Sequence, residues 1–389
     1  MIRTFRYPLY PNQTQEAVMC GWLVACCELY NAALQERRDA WAKQRVGVTI
    51  NDQQKELTGL RAEMPEWRAI PVWIARSALA RLHRAFEAFF RRCKRGETPG
   101  YPRFRSRDRY DSFDLGTNLP SIDGERLRMP GLGWMRFRRY RDLRGAVRHV
   151  NVRRYCGRWF VSFICDLGAA PSKRPVRSAV GVDVGLETLA TLSTGEKIEN
   201  PRFYRAAENR LARHERSLAR KRRDSASRRR AKLLVSRTHA RTRNQRLDFL
   251  RKFACDMYSR FDLVAHEDLS VARMTQGTLA KSIYDASWSV LLRCLALKAE
   301  EAGKHIVAVD PRGTSQTCPS CGTVAKKALR QREHRCPCGF FAHRDHAAAL
   351  CVLGRGLRPE QLTEDLSVKA EMLLLSSAML DPSRETVRS

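Results

Sequence analysis

The chain has 389 residues, of which 43% are hydrophobic, so it is long enough for two or three domains and too apolar to be disordered throughout. Its 72 Lys and Arg residues outnumber 41 Asp and Glu, which gives a formal net charge of +31. Because self-repulsion on this scale opposes a compact state, we expect a polyanionic partner, and nucleic acid is the usual one. Composition alone leaves open a basic ribosomal or architectural protein without catalysis.

The 13 cysteines are an odd number, and most stand singly in apolar segments. This pattern indicates reduced thiols rather than a disulfide framework. The first residues carry charges where a signal peptide needs an apolar run, and no run of about 18 apolar residues predicts a membrane span. We therefore expect a cytoplasmic or nucleoid-associated protein.

The N-terminal part predicts a strand followed by helices. Residues 1–9 alternate polar and apolar side chains, and Asn12 with Gln15 forms a capping-box signal for a helix that runs to about Leu34. Further helices are predicted over 52–63 and 73–92. Residues 12–95 therefore form a predicted helical module.

Glycines and prolines then break the pattern, and residues 113–167 are predicted to be β structure. Two predicted strands flank Cys156-Gly157-Arg158, which is typical of a hairpin. If the N-terminal strand completes this unit, residues 1–11 and 96–170 form a β-barrel-like domain into which the helical module is inserted. Residues 169–178 resemble a linker.

The second half predicts an α/β sheet. Three strands, the first over 179–185, precede a basic helical stretch at 203–258. A strand at 261–267, a helix at 282–302 and a strand at 305–309 follow. Residues 358–389 are predicted to be a poorly ordered tail with one short helix near 368–380.

Three acidic residues occupy positions that favour a shared metal site. Asp183 lies inside an apolar strand, where a carboxylate is costly unless it is paired or binds a metal. Glu267 ends a second strand, and Asp345 begins an Ala-rich helix. Singly, these residues are also explained as a turn residue, a surface residue and a helix cap. Together they predict a site for two Mg²⁺ or Mn²⁺ ions that hydrolyses a phosphodiester.

Four cysteines predict a structural zinc site. Cys318 and Cys321 form a CxxC turn, and Cys336 and Cys338 form a shorter CxC turn. The short second turn leaves open a different fourth ligand such as His334. A redox pair or a chance pairing is the alternative to zinc.

A run of basic residues over 209–252 predicts contact with a polyanion. A solvated helix face is the simpler explanation, but the run contains few acids. Because Arg suits A-form helices and unpaired bases, we favour an RNA or an RNA–DNA duplex.

Several motifs follow one another along the chain in a fixed order. They are the opening strand with the helix start Tyr10-Pro-Asn-Gln-Thr-Gln15, Pro99-Gly-Tyr-Pro-Arg-Phe-Arg105, Gly181-Val-Asp-Val-Gly185, Arg246-Leu-Asp-Phe-Leu-Arg-Lys252, His266-Glu-Asp-Leu269, Asp285-Ala-Ser-Trp288, Thr317-Cys-Pro-Ser-Cys-Gly322, and His343-Arg-Asp345 followed by Ala347-Ala348. With these motifs the chain resembles, over about residues 1–357, the TnpB family of transposon-encoded RNA-guided DNA endonucleases, also known as OrfB-type transposases and akin to compact type V CRISPR effectors.

The resemblance implies an RNase H-like (RuvC) core over 178–313 and 342–357, with a zinc-ribbon insertion over 314–341 that binds the target nucleic acid. It implies a wedge-like barrel interrupted by a helical recognition module. The implied partners are a guide RNA from the transposon end and double-stranded DNA, with the protein acting as a monomeric ribonucleoprotein. Asp183, Glu267 and Asp345 fall on the family's catalytic acids, and Cys318, Cys321, Cys336 and Cys338 on its zinc ligands.

The chain departs from the family at the third acid, where His343 and Ala347 replace the Asp and Asn of many relatives. Two alternatives to a nuclease are a guided DNA-binding repressor that has lost cleavage and an accessory transposition protein. The repressor is disfavoured because all three acids are present.

Overall fold

The structure is a computed structural model that describes residues 1–116, 120–328 and 330–358. The predicted tail over 358–389 and its short helix lie outside these residues, apart from Arg358. The chain divides into two compact units, of which the first ends at Ala169 and the second begins at Ala170. This boundary falls at the start of the predicted linker.

The first unit combines helices with an antiparallel sheet. Its helices are α1 (Gln13–Gln44), α2 (Ile50–Glu63), α3 (Pro65–Arg68) and α4 (Val72–Lys94). Its strands are β1 (Ile2–Tyr10), β2 (Ser112–Asp114), β3 (Ser121–Asp123), β4 (Arg126–Met129), β5 (Gly133–Phe137), β6 (Ala146–Tyr155) and β7 (Arg158–Asp166). All four helices fall between β1 and β2 in the chain, within or next to the predicted helical stretch over residues 12–95.

The N-terminal strand lies in the middle of the sheet, whose order is β2-β6-β7-β1-β5-β4-β3. Ile2 to Leu9 of β1 pair with β7, and Leu9 and Tyr10 pair with β5. The sheet thus contains the strands of the predicted barrel. Within the described residues β2 and β3 do not pair with each other, so hydrogen bonds do not close it there.

Local signals set the turns as predicted. Asn12 and Gln15 form the capping box that starts α1. Cys156 and Gly157 both have positive φ, 52° and 73°, which suits a two-residue hairpin loop whose twist matches its strands. Helix α1 continues past the predicted end at Leu34 to Gln44.

By length and composition alone, helix α1 could cross a membrane. The sequence predicts no such helix, because no unbroken run of about 18 apolar residues is present. Its apolar side chains nevertheless contribute to the core. Met19, Trp22, Cys26, Tyr30 and Leu34 are buried there with residues of α4 and the sheet. Helix α1 therefore has the burial of a core helix.

The second unit has a mixed five-stranded sheet in the order β10-β9-β8-β11-β12. These strands are β8 (Ala179–Val184), β9 (Thr188–Leu192), β10 (Lys197–Glu199), β11 (Leu263–Glu267) and β12 (His305–Val309). The first three are antiparallel, whereas β11 runs parallel to β8 and β12. The predicted succession of three strands, helix, strand, helix and strand is confirmed.

Helices cover both faces of this sheet. They are α5 (Phe203–Ala219), α6 (Ala226–Arg260), α7 (Val271–Met274), α8 (Ala280–Ala286), α9 (Trp288–Ala302) and α10 (Arg344–Gly356). One apolar cluster joins the sheet to α6 and α9, and another joins it to α10. The basic stretch predicted over 203–258 is two helices separated by a turn. The helix predicted over 282–302 is divided at Ser287, whose φ is 56°.

A small insertion between β12 and α10 carries the paired strands β13 (Glu333–Arg335) and β14 (Phe341–His343). Strand β14 continues directly into α10. The insertion therefore sets where α10 begins.

Two glycines let α10 lie directly on the sheet. A Cβ at Gly181 of β8 would stand 2.1 Å from the carbonyl oxygen of Ala349. A Cβ at Gly356 would stand 2.5 Å from the Cβ of Ala265 in β11. Because real side-chain contacts are never this short, each glycine is required by the packing rather than by backbone conformation.

We predict that Gly356→Ala lowers the free energy of unfolding by about 1–3 kcal/mol, because the added methyl group overpacks the contact with Ala265. Gly354→Ala is the matched control in the same helix, since its Cβ would meet nothing within 4 Å. The control should leave stability unchanged or raise it by up to about 1 kcal/mol. Urea denaturation of both variants checks this, and equal losses would contradict it.

Candidate functional site

Asp183 and Glu267 lie side by side at the carboxyl ends of two neighbouring parallel strands. Val182 of β8 is opposite His266 of β11, so the next residue of each strand is Asp183 and Glu267. Neighbouring strands are about 4.8 Å apart, and residues in register point to the same face. The sheet therefore directs both carboxylates to one place.

Asp345 reaches the same place from the first turn of α10. Ala349 of this helix contacts Gly181, and Asp345 is one helical turn earlier. The charges of Glu267 and Asp345 both raise the pKa of Asp183, which places all three acids within electrostatic range. The structure thus brings together the three acids that the sequence separates by up to 162 positions.

Burial is the main cause that raises the pKa of Asp183 to about 8, and the neighbouring carboxylates add to it. The guanidinium of Arg344 acts in the opposite direction. Burial also raises the pKa of Glu267, while a hydrogen bond from Thr314 and the charge of Arg355 lower it. Asp183 and Glu267 are largely withdrawn from water, and Asp183 has two further carboxylates nearby, so a bound cation would favour the ionised form of Asp183.

The donor set fits divalent metal ions with hard oxygen ligands. Among the described residues, these oxygens do not form a group in which all ligand atoms lie within 4.8 Å of one another.

Thr314 is a site residue that the sequence did not reveal. Its hydroxyl is buried and donates a hydrogen bond to Oε1 of Glu267. It stands 47 positions from Glu267 in a loop after β12, and no motif marks it. His266 and His343 make local contacts next to the acids. His266 Nδ1 contacts the carbonyl of Glu267 at 2.8 Å, and His343 caps α10 through the amide of Asp345.

The four predicted zinc ligands converge in the insertion. Their Sγ atoms all lie within 4.8 Å of one another, with Cys318 to Cys338 at 3.6 Å and Cys321 to Cys336 at 3.4 Å. A tetrahedral Zn²⁺ with bonds of about 2.3 Å separates its sulfurs by roughly 3.8 Å. The thiol set therefore has the chemistry and the spacing for zinc, despite the short CxC turn.

His334 does not join this cysteine cluster. It is buried, its Nδ1 faces the amine of Lys327, and its ring packs edge-on against Phe340. His334 therefore packs inside the insertion and is not part of the candidate metal-binding group, which consists of the four cysteines.

Comparison with known proteins decides the family. A protein of Streptomyces pristinaespiralis named "Putative RNA-guided DNA endonuclease" is 33% identical over 99% of this chain and 97% of its own length. The "Putative RNA-guided DNA endonuclease InsQ" of Escherichia coli K12 is 30% identical over 91% and 92%. The chain belongs to the TnpB family.

Family models match three parts of this TnpB-family chain. They are described as "Probable transposase" over residues 162–278, "Cas12f1-like, TNB domain" over 288–352 and "Helix-turn-helix domain" over 1–45. The last region is here a strand followed by one unbroken helix. A solved Cas12f1–sgRNA–target DNA complex has a similar fold, with a TM-score of 0.57 over 88% of this chain and 83% of that one at 13% identity.

Two motifs of the TnpB resemblance meet at Asp285 in α8. Its buried carboxylate accepts hydrogen bonds from the backbone amides of Tyr204 and Arg205 at 2.8 and 3.1 Å. Arg246 of α6 donates to the same carboxylate at 3.0 Å. Because α5 has no side-chain cap of its own, Asp285 caps it from another helix and ties α5, α6 and α8 together.

We predict that Asp285→Ala lowers the free energy of unfolding by about 3 kcal/mol, because it leaves a partly buried guanidinium and two helix amides without their acceptor. Asp248→Ala removes an exposed carboxylate that pairs with Lys252 within α6 and should leave stability nearly unchanged. Thermal and urea unfolding measure both. A similar effect of the two substitutions would show that the Asp285 contacts are not stabilising.

Proposed function

We propose that this TnpB-family protein is an RNA-guided endonuclease that cuts double-stranded DNA at a guide-matched site beside a short motif. Its second unit is the RuvC-type nuclease core, and residues 314–341 form the target-binding insertion. Its first unit holds the wedge and the helical recognition module. The names of the relatives and the fold of the Cas12f1 complex support this function.

The observation that carries the enzymatic part is the meeting of Asp183, Glu267 and Asp345 at one end of the sheet. An RNA-guided repressor without cleavage has no need for a buried carboxylate at Asp183 whose ionisation is opposed by repulsion from two neighbouring carboxylates. Substitution of any one acid would relieve that repulsion. Retention of all three therefore favours a nuclease over a repressor.

Each residue has a distinct role in the proposed reaction. Asp183, Glu267 and Asp345 hold two Mg²⁺ or Mn²⁺ ions, and Thr314 orients Glu267 through its hydroxyl hydrogen bond. Arg344 offsets part of the negative charge beside Asp183. When bound, the ions supply an activated water and stabilise the leaving oxygen of the phosphodiester. The contribution of the protein is to hold the three carboxylates where they would bind those ions.

The guide RNA is proposed to come from the transposon end, and base pairing rather than protein contact selects the DNA sequence. The basic residues of α5, α6 and the turn between them support a nucleic-acid partner. Arg220, Lys221, Arg222 and Arg223 are all exposed in that turn. Arginines in this setting bind phosphates, so affinity should fall steeply with salt. We propose a monomeric ribonucleoprotein.

Cleavage tests the proposal directly. The full chain is co-expressed with transposon-end RNA, and the purified complex is given a matched plasmid with Mg²⁺. We expect the wild type to linearise the plasmid. Asp183→Asn and Glu267→Gln should lower the cleavage rate by more than about a hundredfold, because the loss of a metal ligand lowers activity more than the loss of a residue that only hydrogen-bonds to a ligand. Asp256→Asn changes an exposed carboxylate that pairs with Arg260 and should cut like the wild type.

The copurified RNA is sequenced from the same preparation. A uniform species that ends in transposon-flank sequence supports guidance, whereas random cellular RNA contradicts it. Specific plasmid binding without any cleavage by the wild type would favour the repressor instead.

We further propose that Cys318, Cys321, Cys336 and Cys338 bind one structural Zn²⁺. Metal analysis of the purified chain should give about one zinc per protein, and Cys336→Ser should lose it. Cys255→Ser, an exposed cysteine of α6 outside the cluster, should retain it. Full zinc content in Cys336→Ser would contradict the proposed ligand set.

A further inference from the structure

A cavity of about 580 Å³ lies in the second unit between α7, the turn after it, α8 and the start of α9. Its volume falls within the range of about 300–1,000 Å³ that is typical of small-ligand sites. The acid site and the cysteine cluster do not use it.

Both strands that carry catalytic acids connect to this cavity. Glu267 ends β11, and Val271 at the cavity wall follows four residues later. The indole nitrogen of Trp288, another wall residue, donates a hydrogen bond to the carbonyl of Gly185 at 3.3 Å. Gly185 is two residues after Asp183. The cavity wall is thus joined to both acid-bearing strands, by the short chain segment from Glu267 to Val271 and by the hydrogen bond from Trp288 to Gly185.

The lining suits a flat ring with polar edges. Buried Ile283 and Trp288 supply apolar walls, while Thr275 and Gln276 supply hydrogen-bonding groups. Tyr284 also lines the cavity, and its side chain is 65% exposed. A large aromatic ring left this open to water is a typical platform for stacking a nucleic-acid base.

One exposed positive charge lies next to the cavity. Arg273 in α7 directly follows the lining residue Ala272 and is exposed, whereas the carboxylate of Asp285 in α8 is buried and bonded to Arg246. A base attached to a phosphate would use both the apolar lining and the guanidinium of Arg273, whereas an apolar peptide would use only the lining.

We propose that the cavity receives one unpaired base of the DNA strand that is directed to Asp183, Glu267 and Asp345, with Tyr284 stacking on that base. This inference rests on the proposed nuclease function and deepens it, because it assigns one base of the substrate strand to a defined place, with Tyr284 as its stacking partner. A base held there fixes the position of the scissile phosphate along the strand.

Binding of single-stranded DNA tests the cavity without cleavage. The full chain with its copurified RNA carries Glu267→Gln, and labelled oligonucleotides each contain one abasic position along the strand. We expect one position at which loss of the base weakens binding by about fivefold or more. Adding Tyr284→Ala should weaken binding of the intact oligonucleotide by a similar factor and abolish that positional effect.

Two control variants define the contact. Tyr284→Phe keeps the ring and should bind like the Glu267→Gln parent. Leu297→Ala removes an exposed apolar side chain of α9 that does not line the cavity and should also have no effect. Circular dichroism and thermal melting verify that each variant is folded.

Failure of this proposal differs from failure of the nuclease function. No measurable binding, no sensitive position, or a positional effect that survives Tyr284→Ala would overturn the base-binding role even if the wild type cuts DNA. If one abasic position weakens binding only when Tyr284 is present, but the wild type never cuts DNA, the base-binding role of the cavity stands and the nuclease function is refuted. If Tyr284→Ala instead changes the sedimentation of the chain, the surface binds a second copy rather than a base.

Discussion

The close contact between α10 and the central strands is the constraint on which the acid site depends. Gly181 and Gly356 leave no side chain between helix and sheet, so the first turn of α10 reaches the strand ends that carry Asp183 and Glu267. A methyl group at Gly181 would push α10 away from the sheet and would move Asp345 away from the strand ends. Packing therefore sets the position of the third acid, whose charge adds to the burial that raises the pKa of Asp183.

The cysteine-bearing insertion adds a second constraint on the same helix. Strand β14 passes into α10 without a loop, and Arg344 at that junction donates to the carbonyl of Ala328 and the hydroxyl of Ser315. Cys351 of α10 also donates to the carbonyl of Thr317, the residue before Cys318. The insertion is consequently bonded to the helix that carries Asp345, and its order bears on the acid site.

Much of the fold could be predicted from local patterns. The capping box at Asn12, the hairpin at Cys156-Gly157 and the strand alternation after Ala179 depend on neighbours in sequence, and the structure agrees with them. The break at Ser287 was not predicted, because the apolar periodicity continues across it. The membrane-like composition of α1 also required tertiary packing to explain it.

The order of the motifs along the chain indicates the family. The sequence also identifies the acids and cysteines from which the candidate metal sites are built. Strand pairing and packing place Asp183 and Glu267 in the same register, bring Thr314 to Glu267 and let Asp285 of α8 cap α5, and none of these contacts is evident from the sequence. The fold also brings the four cysteines together into one candidate metal-binding group that does not include His334. The physical reason is that these contacts join residues tens of positions apart, whose spacing is set by packing and strand register rather than by local preference.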